Sequence, residues 1–237
     1  MKYFQTNHIG DLSTRIITNA ITTILQTDDF VTLALPGGRS AKTLCESLRN
    51  ADIPWKKVHI FMVDERLVAL EHPDSNFLII KEALIDYLQE KIPVENIHPF
   101  IYTTDESEFG KQSYEDEILR HKGYFDIAVL SAGEDGHIAG LFPNHETIQD
   151  ESLVLTHTKT SPKAPALRIS ASRKLLLQTK QCILIFSGSQ KEDALRLFFD
   201  ETKSPIQCPA KLPTYIEQSF LITDLPLPET IQKEDEQ

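Results

Sequence analysis

The chain has 237 residues, 41% of them hydrophobic and 25% charged, and a formal net charge of −11 at pH 7. That length supports a sizeable core and fits one α/β domain over 1–237, with two small domains as the weaker reading. The negative charge repels nucleic acid and anionic membrane surfaces, so neither is expected as a partner, and any local cluster of Arg and Lys gains meaning. No run approaches 18 apolar residues, and the start MKYFQTNHIGDLS has no signal-peptide core. Cys45, Cys182 and Cys208 show neither C-x-x-C nor zinc spacing. A cytoplasmic protein with reduced, packed thiols is expected, a monomer or weak homo-oligomer.

In chain order, an amphipathic helix over 11–26 is followed by FVTLALP (30–36) and GGRSAKTLCESLRN (37–50), which reads as strand, glycine turn, helix. KVHIFMV (57–63) is a strand, DERLVALEHPD (64–74) a loop, and SNFLIIKEALIDYLQ (75–89) a helix with Ser75 at its N-cap. IHPFI (97–101) is a short strand and 106–120 a polar helix. FDIAVL (125–130) is a strand that ends in AGEDGHIAGLFP (132–143). SLVLTHT (152–158) and ALRISAS (166–172) are two further strands. CILIFSGSQKEDALRLFFD (182–200) repeats the order strand, tight turn, helix, and FLITD (220–224) is the last strand. The final eight or so residues, polar and acidic, are expected to fray. Short apolar strands without clean alternation, interleaved with helices, predict a three-layer αβα fold whose Rossmann-like, mostly parallel sheet carries helices on both faces.

In such sheets ligands bind beyond the carboxyl ends of the strands, where this chain places PGGRS, DER, AGEDGH and SGSQK. Each junction has two readings. Gly37, Gly38, Arg39 and Ser40 make either a plain βα turn or an anion site at a helix N-terminus; neither the P-loop nor the dinucleotide G-x-G-x-x-G pattern is present. Asp64 and Arg66 belong to a solvated loop, or act by orienting sugar hydroxyls and holding an anionic oxygen. Asp135, Gly136 and His137 form a turn or an oriented general base. Arg168, a charge inside an apolar strand, needs a buried ion pair or a phosphate. Lys191 at a helix start is a surface residue or faces an anion. Arg39, Arg66, Arg168 and Lys191 together put four cations on one rim of an acidic protein, and a small phosphorylated ligand explains that set best. Glu134, Asp135 and His137 are too few and too close in sequence for a metal site.

With LALPGGRS, FMVDERLV, DSNF, DIAVLSAGEDGHIAGLFP, ALRIS and SGSQK in order, the chain resembles the 6-phosphogluconolactonase family, within the group that includes glucosamine-6-phosphate deaminases. The resemblance spans nearly the whole chain. It implies hydrolysis of 6-phospho-D-glucono-1,5-lactone in the oxidative pentose phosphate pathway, with no cofactor and no metal. It implies His137 as the base that activates water and Asp135 as its holder. Gly38, Arg39, Ser40, Arg168 and Lys191 would surround the phosphate and ring, with Arg66 near the developing oxyanion. Two features depart from the family pattern: Arg39 precedes Ser40, and Ala132 and Gly140 stand where larger or hydroxylated residues are common.

Two rivals share this architecture. An amino-sugar phosphate deaminase or isomerase carries D-E-Tyr in place of DER and an Asn-Glu-Pro whose Glu takes part in ring opening; here Phe142 precedes Pro143. A non-catalytic sugar-phosphate sensor would carry a DNA-binding segment, and no helix-turn-helix precedes the first helix.

Overall fold

In the computed structural model, which describes residues 1–88, 90–104 and 107–235 without the Arg39 and Ser107 side chains, the apolar runs pair as strands. These are β1 (Lys2–Gln5), β2 (Val31–Leu35), β3 (Val58–Met62), β4 (Asp64–Arg66), β5 (Ile97–His98), β6 (Ile127–Ser131), β7 (Leu155–Thr158), β8 (Arg168–Ala171), β9 (Gln181–Phe186) and β10 (Gln218–Thr223). Seven of them form one parallel sheet in the order β1-β10-β9-β6-β2-β3-β5. β4, β8 and β7 make a small antiparallel sheet beside it.

The helices are α1 (Ile9–Ile24), α2 (Gly38–Leu48), α3 (Asn76–Ala83), α4 (Lys111–Arg120), α5 (Glu146–Gln149), α6 (Arg173–Leu177) and α7 (Glu192–Phe199). Because successive strand side chains point to opposite faces, the central strands feed two cores. Leu33, Ile60, Val129 and Ile183 pack with Ile17, Ile21 and Leu44 of α1 and α2. Ala34, Phe61, Leu130 and Leu184 pack with Ile118, Leu175 and Phe198 of α4, α6 and α7. Burial on both faces explains why these strands read as continuous apolar runs. The expected layered α/β fold with a mostly parallel sheet is the one observed.

Several element boundaries differ from expectation. DER is a strand, because its backbone pairs with β8 instead of entering solvent. β1, too short and polar to stand out, adds to β10 at the sheet edge. The helix at 75–89 stops at Ala83 and continues as a 3₁₀ turn over Ile85–Tyr87, while Gln89 lies outside the described residues. The helix at 106–120 starts at Lys111 after a 3₁₀ turn from Ser107, while Glu106 lies outside them. The terminal segment is held where it was expected to fray: Glu234 N–H donates to Tyr3 O at 2.9 Å and Lys233 Nζ to Gln5 Oε1 at 2.7 Å. Glu236 and Gln237 lie outside the described residues. Among the described residues no helix is long and apolar enough to cross a membrane.

Candidate active site

The chain reverses direction across the sheet between β2 and β6. From β2 it proceeds outward to β3 and β5, and from β6 it proceeds the other way to β9 and β10. A crevice forms at such a switch point because the connections on either side diverge. Here it is a cleft of about 500 Å³. Gly37, Gly38, Ser40, Asp64, Arg66, His137, Arg168 and Lys191 all line it, so the four junctions do meet. Asp135 does not line it and stands behind His137. The Arg39 side chain lies outside the described structure.

His137 Nδ1 is 2.5 Å from Asp135 Oδ1. Burial alone would raise the Asp135 pKa, but the hydrogen bond and charge of His137 outweigh it and bring the carboxyl down to about 2. The carboxylate is therefore charged and accepts the Nδ1 hydrogen, so that in the neutral form of the ring the lone pair is on Nε2. Local geometry demands the glycines around this pair. A Cβ on Gly133 would lie 2.0 Å from His137 Cε1, and Gly136 adopts φ +82°. The loop closes through Gly133 N–H to His137 O at 2.7 Å. Phe142, fully buried, packs its ring 4.8 Å from the imidazole.

Cations line the same cleft. Arg66 and Arg168 are direct cross-strand partners in β4 and β8, a like-charge pairing that is unfavourable unless an anion offsets it. Arg168, 5% exposed, donates Nε to Pro165 O at 3.1 Å and Nη2 to Ala164 O at 3.0 Å. Backbone carbonyls of a turn, and not the buried ion pair that was one of the two readings for Arg168, meet these donors. Burial lowers the Arg168 pKa, opposed by the Asp64 carboxylate and reinforced by the Arg66 charge. Arg66 donates Nη1 to Asp74 O at 2.6 Å, and its buried Nε has no hydrogen-bond partner among the described residues. Lys191 lies at the entry to α7, beside Gly188, whose N–H is fixed by Asp224 Oδ1 at 2.9 Å. The N-terminus of α2 opens on the same space, with no side chain capping it and no acid in its first turn. A helix end of that kind favours an anion.

The family described as glucosamine-6-phosphate isomerases/6-phosphogluconolactonase matches residues 7–221. The chain belongs to the glucosamine-6-phosphate isomerase/6-phosphogluconolactonase family. A 6-phosphogluconolactonase from Synechocystis sp. is 32% identical over 204 residues, covering 82% of each chain. The crystal structure of a 6-phosphogluconolactonase from Thermotoga maritima superposes with a TM-score of 0.81 at 27% identity, over 93% of this chain and 97% of that one. A monomeric glucosamine-6-phosphate deaminase reaches a TM-score of 0.78 at 17% identity, over 94% of this chain and 97% of its own, a likeness of fold alone.

Within this family architecture several residues matter that sequence reasoning passed over. Asn76 lines the cleft and donates Nδ2 to Asp64 O at 3.0 Å and Asp64 Oδ2 at 3.2 Å. Gly37 is glycine because a Cβ there would lie 1.8 Å from Asn76 Oδ1. Glu65, 1% exposed, accepts from the N–H groups of Arg66, Asn76 and Phe77 at 2.7, 2.7 and 2.8 Å. Thr43, Ser131, Ser187 and Gln190 add polar lining. Their signal was partly in view, since Asn76 stands in DSNF and Ser187 and Gln190 in SGSQK. Gly140 also gains a reason: a Cβ would lie 2.8 Å from Ser170 Cβ, and its N–H donates to Ser170 Oγ at 3.0 Å. Nothing in the structure explains Ala132.

Proposed function

We propose that the chain hydrolyses 6-phospho-D-glucono-1,5-lactone to 6-phospho-D-gluconate by general-base activation of water. The observation that carries this reading is the Asp135–His137 pair at 2.5 Å, with His137 lining the same cleft as Arg66 and Arg168. In the proposed reaction His137 Nε2 takes a proton from water, and the oxygen attacks the lactone carbonyl carbon. Charge develops on the carbonyl oxygen, which the Arg66 guanidinium, lining the cleft, would stabilise. As the tetrahedral intermediate collapses, the bond from that carbon to the ring oxygen breaks, and the ring oxygen takes the proton back from the imidazolium. Asp135 holds the ring orientation throughout and stabilises its charged form. A lactone is an activated ester, so positioned water and one base suffice without a covalent nucleophile.

We assign the phosphate to Arg168, Lys191, Ser40 and the backbone N–H groups of Gly37, Gly38 and Arg39 at the start of α2. Asp64, steadied by Asn76, is assigned to the sugar hydroxyls. Phe142 argues against the deaminase reading, because an apolar ring packs against the imidazole at the place that reading requires a carboxylate. Buried, unpaired Cys45, Cys182 and Cys208 suit a reducing compartment and support a cytoplasmic enzyme, which we take to be a monomer or weak homo-oligomer.

The test is loss of 6-phosphogluconolactone measured above its spontaneous hydrolysis. His137→Ala is expected to lower kcat by roughly 10²- to 10⁴-fold with KM little changed. Near wild-type turnover by the folded variant would return 132–143 to a simple turn.

A further inference from the structure

Away from the cleft, three imidazoles converge. His59 of β3, His98 of β5 and His121 at the end of α4 each bring a ring nitrogen within 4.8 Å of the others, and among the described residues no other such group of metal-ligating side chains does so. His59 precedes Asp64 by five residues along the strand, roughly 16 Å of extended chain, so this cluster is separate from the proposed active site. His98 is buried, and the other two rings are partly exposed.

Glu117 sets the tautomers. His98 Nδ1 lies 2.9 Å from a Glu117 carboxylate oxygen, and His121 Nδ1 lies 2.8 Å from the Glu117 carbonyl. Both oxygens only accept, so both Nδ1 atoms carry hydrogen and both Nε2 atoms present lone pairs. His59 Nδ1, 2.9 Å from His98 Nε2, donates to it. Moving the His59 hydrogen from Nδ1 to Nε2 changes no net protonation and leaves each of the three neutral rings with one lone-pair nitrogen.

We propose that His59, His98 and His121 bind a divalent transition cation of the Zn²⁺ kind, with Glu117 as the outer carboxylate that orients two of the rings. Imidazole nitrogen suits Zn²⁺, Cu²⁺ and Ni²⁺ far better than Mg²⁺ or Ca²⁺. A carboxylate on the far nitrogen of a ligating ring is the usual outer partner. Tetrahedral bonds of about 2.0–2.1 Å place ligand atoms about 3.4 Å apart, so from 2.9 Å the His59–His98 pair opens by about 0.5 Å while the remaining ligand atoms, within 4.8 Å, close by about 1.4 Å at most, and water takes the fourth position. Two other cations stand close. Arg120 pairs with Glu117, and the charge of Lys122 is offset by Asp28 at 2.7 Å and Asp126 at 2.8 Å. A bound ion would fasten the two-residue edge strand β5 to β3 and to the end of α4. The inference does not depend on the lactonase reading.

The experiment is Zn²⁺ titration of the purified, untagged, chelator-stripped chain by calorimetry, with Co²⁺ absorption as the reporter of coordination. The expected result is one Zn²⁺ per chain, an intense tetrahedral Co²⁺ spectrum, and a Tm raised by several degrees at a hundredfold excess over Kd. Glu117→Gln should weaken binding 10- to 100-fold, and His121→Ala by more than that. His137→Ala should bind Zn²⁺ as the wild type does, and His121→Ala should keep wild-type lactone turnover. Absence of stoichiometric binding to the wild-type chain, a pale octahedral Co²⁺ spectrum, or binding unchanged in His121→Ala would each overturn the proposal. The wild-type spectrum decides the matter even where a variant fails to fold.

Discussion

His137 owes its usefulness to what surrounds it. With Gly133 behind the ring and Phe142 beside it, the imidazole makes one hydrogen bond among the described residues, through Nδ1 to Asp135. Asp135 has its pKa depressed to about 2, so it stays ionised through any practical assay. The sign of its linkage follows: a carboxyl with a depressed folded pKa adds stability above its unfolded value, near 3.9, which is lost as pH falls through about 2. An acid limb of the enzymic rate in a practical assay therefore does not report Asp135. Asp135→Asn keeps an acceptor for Nδ1–H but removes the carboxylate charge beside the ring. We expect its kcat to fall by roughly 10-fold or more. Steady-state rates of both proteins, corrected for spontaneous hydrolysis, check this. An unchanged kcat would mean that Asp135 gives His137 no support in the reaction.

At the scale of elements, the motif that shaped the site most was half misread. Glu65 looked like a solvated neighbour of two functional residues, yet it is the buried anchor of α3. Burial raises its pKa, opposed by the N–H bonds from Asn76, Phe77 and Arg66. Through that anchor Asn76 is brought against Asp64. Glu65→Gln retains one acceptor oxygen and turns an NH₂ toward backbone donors, leaving at least one buried N–H unsatisfied. The expected cost is about 1–3 kcal/mol, a fall in Tm of roughly 2–12 °C, with kcat/KM reduced because Asp64 loses its support. An unchanged Tm would show that α3 does not depend on this cap. Strands buried on both faces were legible because most residues in them are apolar, and the junction motifs were legible because strand ends must share a rim. β1 was not, since KYFQ acquires its partner only from Gln218–Thr223 at the far end of the chain. DER as a strand, Glu65 as a cap and the His59–His98–His121 cluster were hidden for the same reason: each depends on contacts between segments that no local pattern relates.

At the scale of the whole molecule, a dianionic substrate must approach a protein of net charge −11 and settle among cations. An unphosphorylated lactone is neutral and keeps the reacting ester, so comparing the two isolates the phosphate. Arg168 and Lys191 are expected to contribute charge-assisted hydrogen bonds of about 1.5–3 kcal/mol each. Arg168→Ala or Lys191→Ala should thus lower kcat/KM on 6-phosphogluconolactone by roughly 10- to 150-fold, and hardly alter the slow reaction of gluconolactone. Salt adds a second, independent readout. At 0.01 M the Debye length is about 30 Å, longer than the radius of gyration of about 18 Å expected for this chain length, whereas at 0.15 M it is about 8 Å. The dianion therefore feels the full negative charge only at low salt, while contacts at hydrogen-bond distance persist at both. Wild-type kcat/KM on the phosphorylated lactone should rise across that range, and the value for gluconolactone should stay flat. Steady-state rates for both lactones, in the wild type and both variants at the two ionic strengths, separate these effects. Equal losses on the two lactones would move Arg168 and Lys191 from phosphate recognition to the fold or the ester chemistry. A wild-type kcat/KM that fell with salt would mean that the cleft, and not the net charge, governs approach.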